Sequence, residues 1–407
     1  MKIGIGLIIL YLLLPFIGLF TTSQYHQNIF GFISDNLIYS NLIHILIVLT
    51  GVIISTLFVN KRNIIFKANT LDDFHVKRIL SKCLYMLIFS LFIILLFGGY
   101  KILLGADRGE FRVSIGGGFG PIYTLLTVFL TPTILTYSTI YYLLSSRNYV
   151  HRKKLFYCVL ISLITGLSTG YKFTALLILL QTLIHCYQVL RVKHLIIIGS
   201  TFFLLMVGSA ILVMKSSSED AALYVLARAT SVASYGTVAV WDNFPEGAKD
   251  SYHSFLSLFG NGITSFLTGV KPDTVEFVKY NLSRHITYVS YPDTYASYKG
   301  YVNLTLTNFG EGVYYFGRNY FFIFSILSSF IIGFGIKVLF WKREKSFIIF
   351  NSLISVYFTT VLLQWISGGG ITSLFQIPVL IYFILTYFIL RLINAKVYFK
   401  TSKSMIN

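Results

Sequence analysis

Gly300-Tyr301-Val302-Asn303-Leu304-Thr305-Leu306-Thr307-Asn308-Phe309-Gly310-Glu311-Gly312-Val313-Tyr314-Tyr315-Phe316-Gly317 closes a polar segment, and from Asn319 the chain turns apolar again. The segment opens at Lys215, where an earlier series of apolar runs stops. Between Lys215 and Arg318 lie nine of the 15 acidic residues and a dense set of Tyr, Ser, Thr and Asn. A connection of about a hundred residues exceeds what most connections need, and such loops are functional or disordered. This one is aromatic-rich with balanced charge, which argues for order. The chemistry is therefore expected in residues 215–318, with residues 1–214 and 319–407 as its platform.

The flanking composition decides the class. The chain has 407 residues, 55% hydrophobic and 12% charged, with a mean hydropathy of +0.73. A soluble protein carries about 25% charged residues. Apolar runs of about 17 to 25 residues recur, long enough to cross a hydrocarbon core of about 30 Å. An all-α, polytopic helical membrane protein is expected, since a barrel shows shorter alternating segments. The net charge of +18 does not imply nucleic acid. The basic residues sit in short connectors, which is how orientation is encoded, and no nucleic-acid module is present. Cys83, Cys158 and Cys186 lie in apolar runs without metal or disulfide spacing and read as small buried hydrophobes. Met1-Lys2 opens a signal-like run, but no small-x-small site follows Phe20, so a retained first span is expected.

Ten spans fit, roughly residues 3–20, 37–59, 83–104, 121–144, 155–167, 173–190, 195–214, 319–340, 347–366 and 372–390. Every second connector is basic: Lys61 to Lys82, Arg147 to Lys154, Arg191 and Lys193, Lys342 to Lys345, and the tail from Arg391. The positive-inside rule then puts both termini in the cytoplasm and residues 215–318 outside. No internal repeat is detectable, so the inverted-repeat signature of many transporters is missing.

Several polar groups fall on the outer side. Lys172 sits at the tip of the fifth–sixth hairpin, where a lysine either snorkels to the interface or meets an anion. Ser216-Ser217-Ser218-Glu219 has a capping-box pattern, predicting a helix from about Asp220 to Tyr235. Tyr224, Arg228, Ser231 and Tyr235 would share one face of it, and Arg228 on so apolar a segment must find an anion or water. Arg284-His285 and His253 are loop candidates, and Tyr288, Tyr291, Tyr295 and Tyr298 suit either sugar stacking or an interfacial belt. Glu311 lies between two glycines and ahead of Tyr314 and Tyr315. It is a general base, a partner for a sugar hydroxyl, or the structural partner of an arginine. Asn308, Tyr314 and Tyr315 are further candidate substrate contacts, with Lys172, His253 and His285. There is no Walker, GxSxG, HExxH or EF-hand pattern, and no Asp-x-Asp pair in the outer segment. Phosphate would be met by protein cations, with neither metal nor cofactor.

With these residues in place, the chain resembles the Wzy-type oligosaccharide repeat-unit polymerases of bacterial surface polysaccharides. Gly310 to Gly317 is similar to the Gly-Glu-x-Tyr-x-x-Phe-Gly pattern that closes that family's large external loop. Thr169-Gly170-Tyr171-Lys172 at a hairpin tip and Arg228 early in the loop are similar too, as is the count of spans around one large loop. Relatives often have Arg where this chain has Lys172, which keeps a point charge but loses the bidentate fork.

The resemblance implies a GT-C-like membrane glycosyltransferase of the bacterial inner membrane, metal-independent and without cofactor. It would polymerise undecaprenyl-diphosphate-linked repeat units into O-antigen, the glycan of lipopolysaccharide, or into capsule. The lipid bilayer, the lipid-linked donor and acceptor, and a chain-length regulator would be its partners. An acceptor hydroxyl attacks the donor's anomeric carbon and undecaprenyl diphosphate leaves. Arg228, Arg284 and Lys172 suit the leaving diphosphate, Glu311 suits the hydroxyl, and His253 and His285 are reserve bases. The alternatives are an O-antigen ligase and a polysaccharide flippase or transporter. Transporters place ionisable groups near mid-span, whereas Lys101 and Lys337 here lie near span ends.

Overall fold

The structure is a computed structural model that describes residues 2–25, 34–57, 71–104, 119–168, 174–186, 197, 200–201, 203–204, 207–208, 211, 217–230, 232–272, 274–297, 303–340 and 348–395. Every regular element among these residues is helical. The first six are α1 (Lys2–Tyr25), α2 (Asp35–Leu57), α3 (Asp73–Leu103), α4 (Gly120–Leu144), α5 (Tyr149–Leu167) and α6 (Thr174–Cys186). The polar segment supplies α7 (Ser218–Thr230), α8 (Val232–Asn243), α9 (Gly260–Thr268), α10 (Leu282–Ser290) and α11 (Pro292–Ser297), with 3-10 turns at Ser251–Phe259 and Val275–Tyr280. The chain then forms α12 (Asn308–Phe340), α13 (Ile348–Gly368) and α14 (Ile377–Asn394), the last preceded by a 3-10 turn at Ile371–Leu374.

Six of these stretches are long and apolar enough to cross a membrane: α2, α3, α4, α12, α13 and Ile371–Asn394. The protein is thus a helical, multi-pass membrane protein in architecture, with six such helices among the described residues against ten expected spans. The first expected span is the shorter apolar stretch Gly4–Phe20 within α1. The fifth and sixth are α5 and α6, and most of residues 195–214 lie outside the described residues.

Two expected boundaries move because polar side chains cap helices earlier than hydropathy suggests. Asp72 accepts from the His75 amide at 3.1 Å and starts α3 at Asp73. Asn148 accepts from the His151 amide at 2.9 Å and starts α5 at Tyr149. Lys77, Arg78, Lys82, Arg152, Lys153 and Lys154 therefore ride on helices instead of in connectors. Lys82 donates to the Ile393 and Ala395 carbonyls at 2.9 and 3.1 Å, filling acceptors that the end of α14 leaves open. Asp73 meets the Ser146 hydroxyl at 2.8 Å, and Lys154 bonds Ser81. One end of the bundle is thus basic.

The polar segment gathers at the opposite end as a crown of short helices. Its core is continuous with the spanning helices: Trp241, Phe244, Ile286 and Leu306 pack with Leu19, Leu37, Phe309 and Phe321. Ser234 of α8 donates to the Pro15 carbonyl of α1 at 2.7 Å.

Below the crown, α2 and α12 pack closely along small residues. A side chain at Gly51 would run into Ser329, and one at Gly333 would run into Ser55. Gly51 and Ser55 are four apart, as are Ser329 and Gly333, so the two small ridges interlock as transmembrane pairs do. Inside α4, Thr133, Thr136, Ser138 and Thr139 return their hydroxyls to the carbonyl four residues back, so they are satisfied within an apolar bundle.

Candidate active site

The Asn308–Gly317 part of the closing stretch forms the first turns of α12. That helix is interrupted at Gly317, with φ +74° and ψ 177°, a combination open essentially to glycine alone. A Cβ there would sit 2.7 Å from the Glu246 backbone, so the chain at 244–248 lies flat against the kink. Arg318 N–H donates to the Pro245 carbonyl and Ala248 N–H to the Tyr314 carbonyl, both at 2.8 Å. The Arg318 guanidinium bonds the Trp241 carbonyl at 2.7 Å and covers the Trp241 ring at 5.0 Å. This fixes how the crown meets α12.

Glu311, one turn into α12, is 0% exposed. Its Oε2 accepts from Trp365 Nε1 at 2.8 Å and its Oε1 from the Ile371 amide at 2.6 Å. Ile371 follows Gly369 and Gly370, whose φ of +66° and +82° make the turn between α13 and α14. The carboxylate thereby ties α12 to that turn. Among the described residues Glu311 forms no ion pair; of the two arginines considered as its partner, Arg228 has its side chain outside the described residues and Arg284 is engaged elsewhere. Arg284 Nη1 donates to the Pro272 carbonyl at 2.9 Å.

Above Glu311 the same helix face reaches the crown. The Tyr314 hydroxyl and His285 Nδ1 are 2.6 Å apart, with Phe244 edge-on to both rings. His285 sits on α10, started by Asn281, whose side chain accepts from the Arg284 amide. Burial lowers the His285 pKa, the nearby Asp250 carboxylate raises it, and His253 lowers it; the net direction is down. His285 is thus held neutral near pH 7. His253 stacks on Tyr252 at 4.1 Å and meets the Tyr280 ring edge at 5.7 Å. Asp250 and Tyr252 are exposed. Tyr315 bonds Ser254 at 2.8 Å and stacks on Phe255, while Ser257 bonds Thr372 at 2.7 Å. The chain at 371–372 is therefore held twice, by Glu311 at the Ile371 amide and by Ser257 of the crown at the Thr372 hydroxyl.

Of the residues singled out in the sequence, the fold brings together Glu311, Tyr314, Tyr315, His285 and His253, while the Arg284 guanidinium turns to the Pro272 carbonyl. Asn308 is buried and faces inward: its Oδ1 lies 3.0 Å from His44 Nε2, and His44 Nδ1 lies 2.8 Å from Ser325. Arg228 is on α7, but its side chain lies outside the described residues, as does all of Lys172. The expected helix from about Asp220 to Tyr235 is described on both sides of Ser231, as α7 to Thr230 and α8 from Val232, with Ser231 itself outside the described residues. Its cap is shifted by one, with Ser217 and Asp220 in place of Ser216 and Glu219. Sequence reasoning missed Trp365, His44, Asp250 and Arg318. Only the triple glycine after Trp365 hinted that a turn there would need a partner.

No protein-family model, curated protein or solved structure matches the chain. The resemblance given above rests on its own residues, and in them Val313 stands at the pattern's tyrosine, with Tyr314 one place on.

Proposed function

We propose that this protein is a membrane glycosyltransferase that joins undecaprenyl-diphosphate-linked repeat units into a surface polysaccharide. The crown would face the outer side of a bacterial inner membrane and both termini the cytoplasm. The observation that carries the reading is the crown itself. It is locked onto span ends and presents a histidine whose pKa burial lowers, an exposed carboxylate near it and stacked aromatic faces. Aromatic faces suit sugar rings, and the gathering of basic residues at the opposite end suits the assigned orientation.

Within that reading the roles divide by geometry. Glu311 positions the floor of the site, since both its oxygens are engaged and none of it is exposed. His285 takes the acceptor hydroxyl's proton. When Nδ1–H donates to Tyr314, Nε2 keeps the lone pair that a base requires. Arg284 and Arg228 meet the leaving diphosphate, with Lys172 adding a point charge. The new glycosidic bond forms as the anomeric C–O bond to diphosphate breaks, and Asp250 steadies the charged imidazole. A transport reading draws on one observation, that His44 and Glu311 are ionisable groups buried on spanning helices.

Deletion of the gene followed by electrophoresis of the surface glycan separates these readings. Loss of the ladder with single repeat units retained is the expected result. Polymer left on the lipid carrier would indicate a ligase, and repeat units trapped on the cytoplasmic leaflet a flippase.

A further inference from the structure

Helix α9 is built inside out. Beyond the exposed Asn261 in its first turn, its hydroxyls bond inward: Thr264 is buried and donates to the Leu256 carbonyl at 2.6 Å, and Ser265 donates to the Val270 carbonyl at 2.7 Å. Its apolar side chains turn outward at i, i+3 and i+4: Ile263 is 44% exposed, Phe266 87% and Leu267 56%. Phe255, just before it, is exposed too. A helix in water arranges these the other way, and a contiguous apolar patch marks a surface that meets something apolar.

What covers it follows from where it sits. Gly260, at the start of α9, lies against Pro378 in the first turn of α14, where a Cβ would approach the proline ring to 3.0 Å. From that point the outward apolar row continues down α14 through Leu380, Ile381, Ile384 and Phe388, the surface a spanning helix turns to lipid. From Ser251 to Val270 there is no Asp, Glu, Lys or Arg, and the first charge, Lys271, comes after the helix has ended at Gly269.

We propose that α9 is an in-plane membrane anchor. It lies flat in the leaflet on the crown side, its Ile263–Phe266–Leu267 stripe sunk about 5 to 10 Å into the headgroup–acyl boundary. The occupant of the stripe is bilayer lipid, reached without a break from the lipid-facing side of α14. The anchor holds the 3-10 turn at Ser251–Phe259, and with it Tyr252 and His253, at the level of the headgroups. The inference rests on the spans and on α9, and it stands or falls independently of the glycosyltransferase reading.

The test uses the full-length chain reconstituted in phosphatidylcholine–phosphatidylglycerol vesicles, with bimane on a cysteine placed by Phe266→Cys. The unsubstituted chain, labelled identically, gives the background from the native cysteines. Quenching is read with aqueous iodide and with lipids carrying a nitroxide at the headgroup, at the top of the acyl chain, or at its end. The expected result is strong quenching by the upper two nitroxides and weak quenching by iodide, with the reverse order for Asp250→Cys. Leu267→Cys should repeat the Phe266→Cys result, and serves if that variant fails to fold. Iodide quenching equal to that at Asp250→Cys would mean the stripe faces water. Protection from every quencher would mean that protein, such as a second copy of the chain, covers it. Strongest quenching from the chain-end nitroxide would place it in the bilayer core. Each of these three results overturns the proposal.

Discussion

Two side chains carry opposite expectations at the residue scale. Glu311 offers two acceptor oxygens to two N–H donors. Glu311→Gln leaves one oxygen and turns an amide N–H toward a donor. A hydrogen bond to a charged group contributes about 1.5 to 3 kcal/mol, so a loss of that order is expected in thermal unfolding of the purified protein. Trp365→Phe, which removes one donor, should lower stability in the same direction. If Glu311→Gln instead slows chain growth with an unchanged melting curve, the residue is a base and not a clamp. His285 gives the pH prediction. Its folded pKa lies below the ordinary value of about 6.5. Above that value the imidazole is neutral in both folded and unfolded chains and makes no difference to stability. As pH falls below it the unfolded chain takes up a proton that the fold resists, so stability declines toward acid. In kcat/KM for chain growth the acid limb should fall below about pH 6.5. Asp250→Asn should move that limb further toward acid, because Asp250 raises the His285 pKa. His285→Asn should lower the rate by about 10² to 10⁴-fold and abolish the limb.

The α2–α12 pair is the element on which the site depends, because α12 carries both Glu311 and Tyr314. Its closeness is set by Gly51 against Ser329 and Ser55 against Gly333. Gly333→Leu should force the helices apart at a cost of about 1 to 3 kcal/mol, read as a lower melting temperature in detergent. Exchanging the pair, Ser55→Gly with Gly333→Ser, should recover most of what Gly333→Ser alone loses. Equal losses in the single and double variants would show that the contact at this level does not set the packing. Helix starts followed a simpler logic, visible in the sequence once the cap is sought: Asp72 and Asn148 each bond the amide three residues on.

For the whole molecule the expectation is an orientation. The crown and the basic end lie at opposite ends of the bundle, so a cysteine at Asp250 should react with an impermeant maleimide on intact cells. One at Lys67, in the basic connector after α2, should react only after permeabilisation. Labelling of both from the same side would remove the assigned topology and, with it, the outer-face enzyme.

The linear chain alone determined the class of fold. Apolar runs long enough to cross a bilayer and their basic connectors are local properties, written in consecutive residues. So is the stretch Gly310 to Gly317, where glycines and a lone carboxylate stand together. Only tertiary structure decided what that carboxylate does. Its donors, Trp365 at the end of α13 and Ile371 in the turn after it, are 54 and 60 residues away in a stretch with no charge to advertise it. The pairing of His285 with Tyr314 depends likewise on a crown folded against α12, and His44 meets Asn308 only because four small residues let two helices close. A hydrogen bond between distant residues leaves no periodicity in either partner, and so it becomes legible only when the backbone is in place.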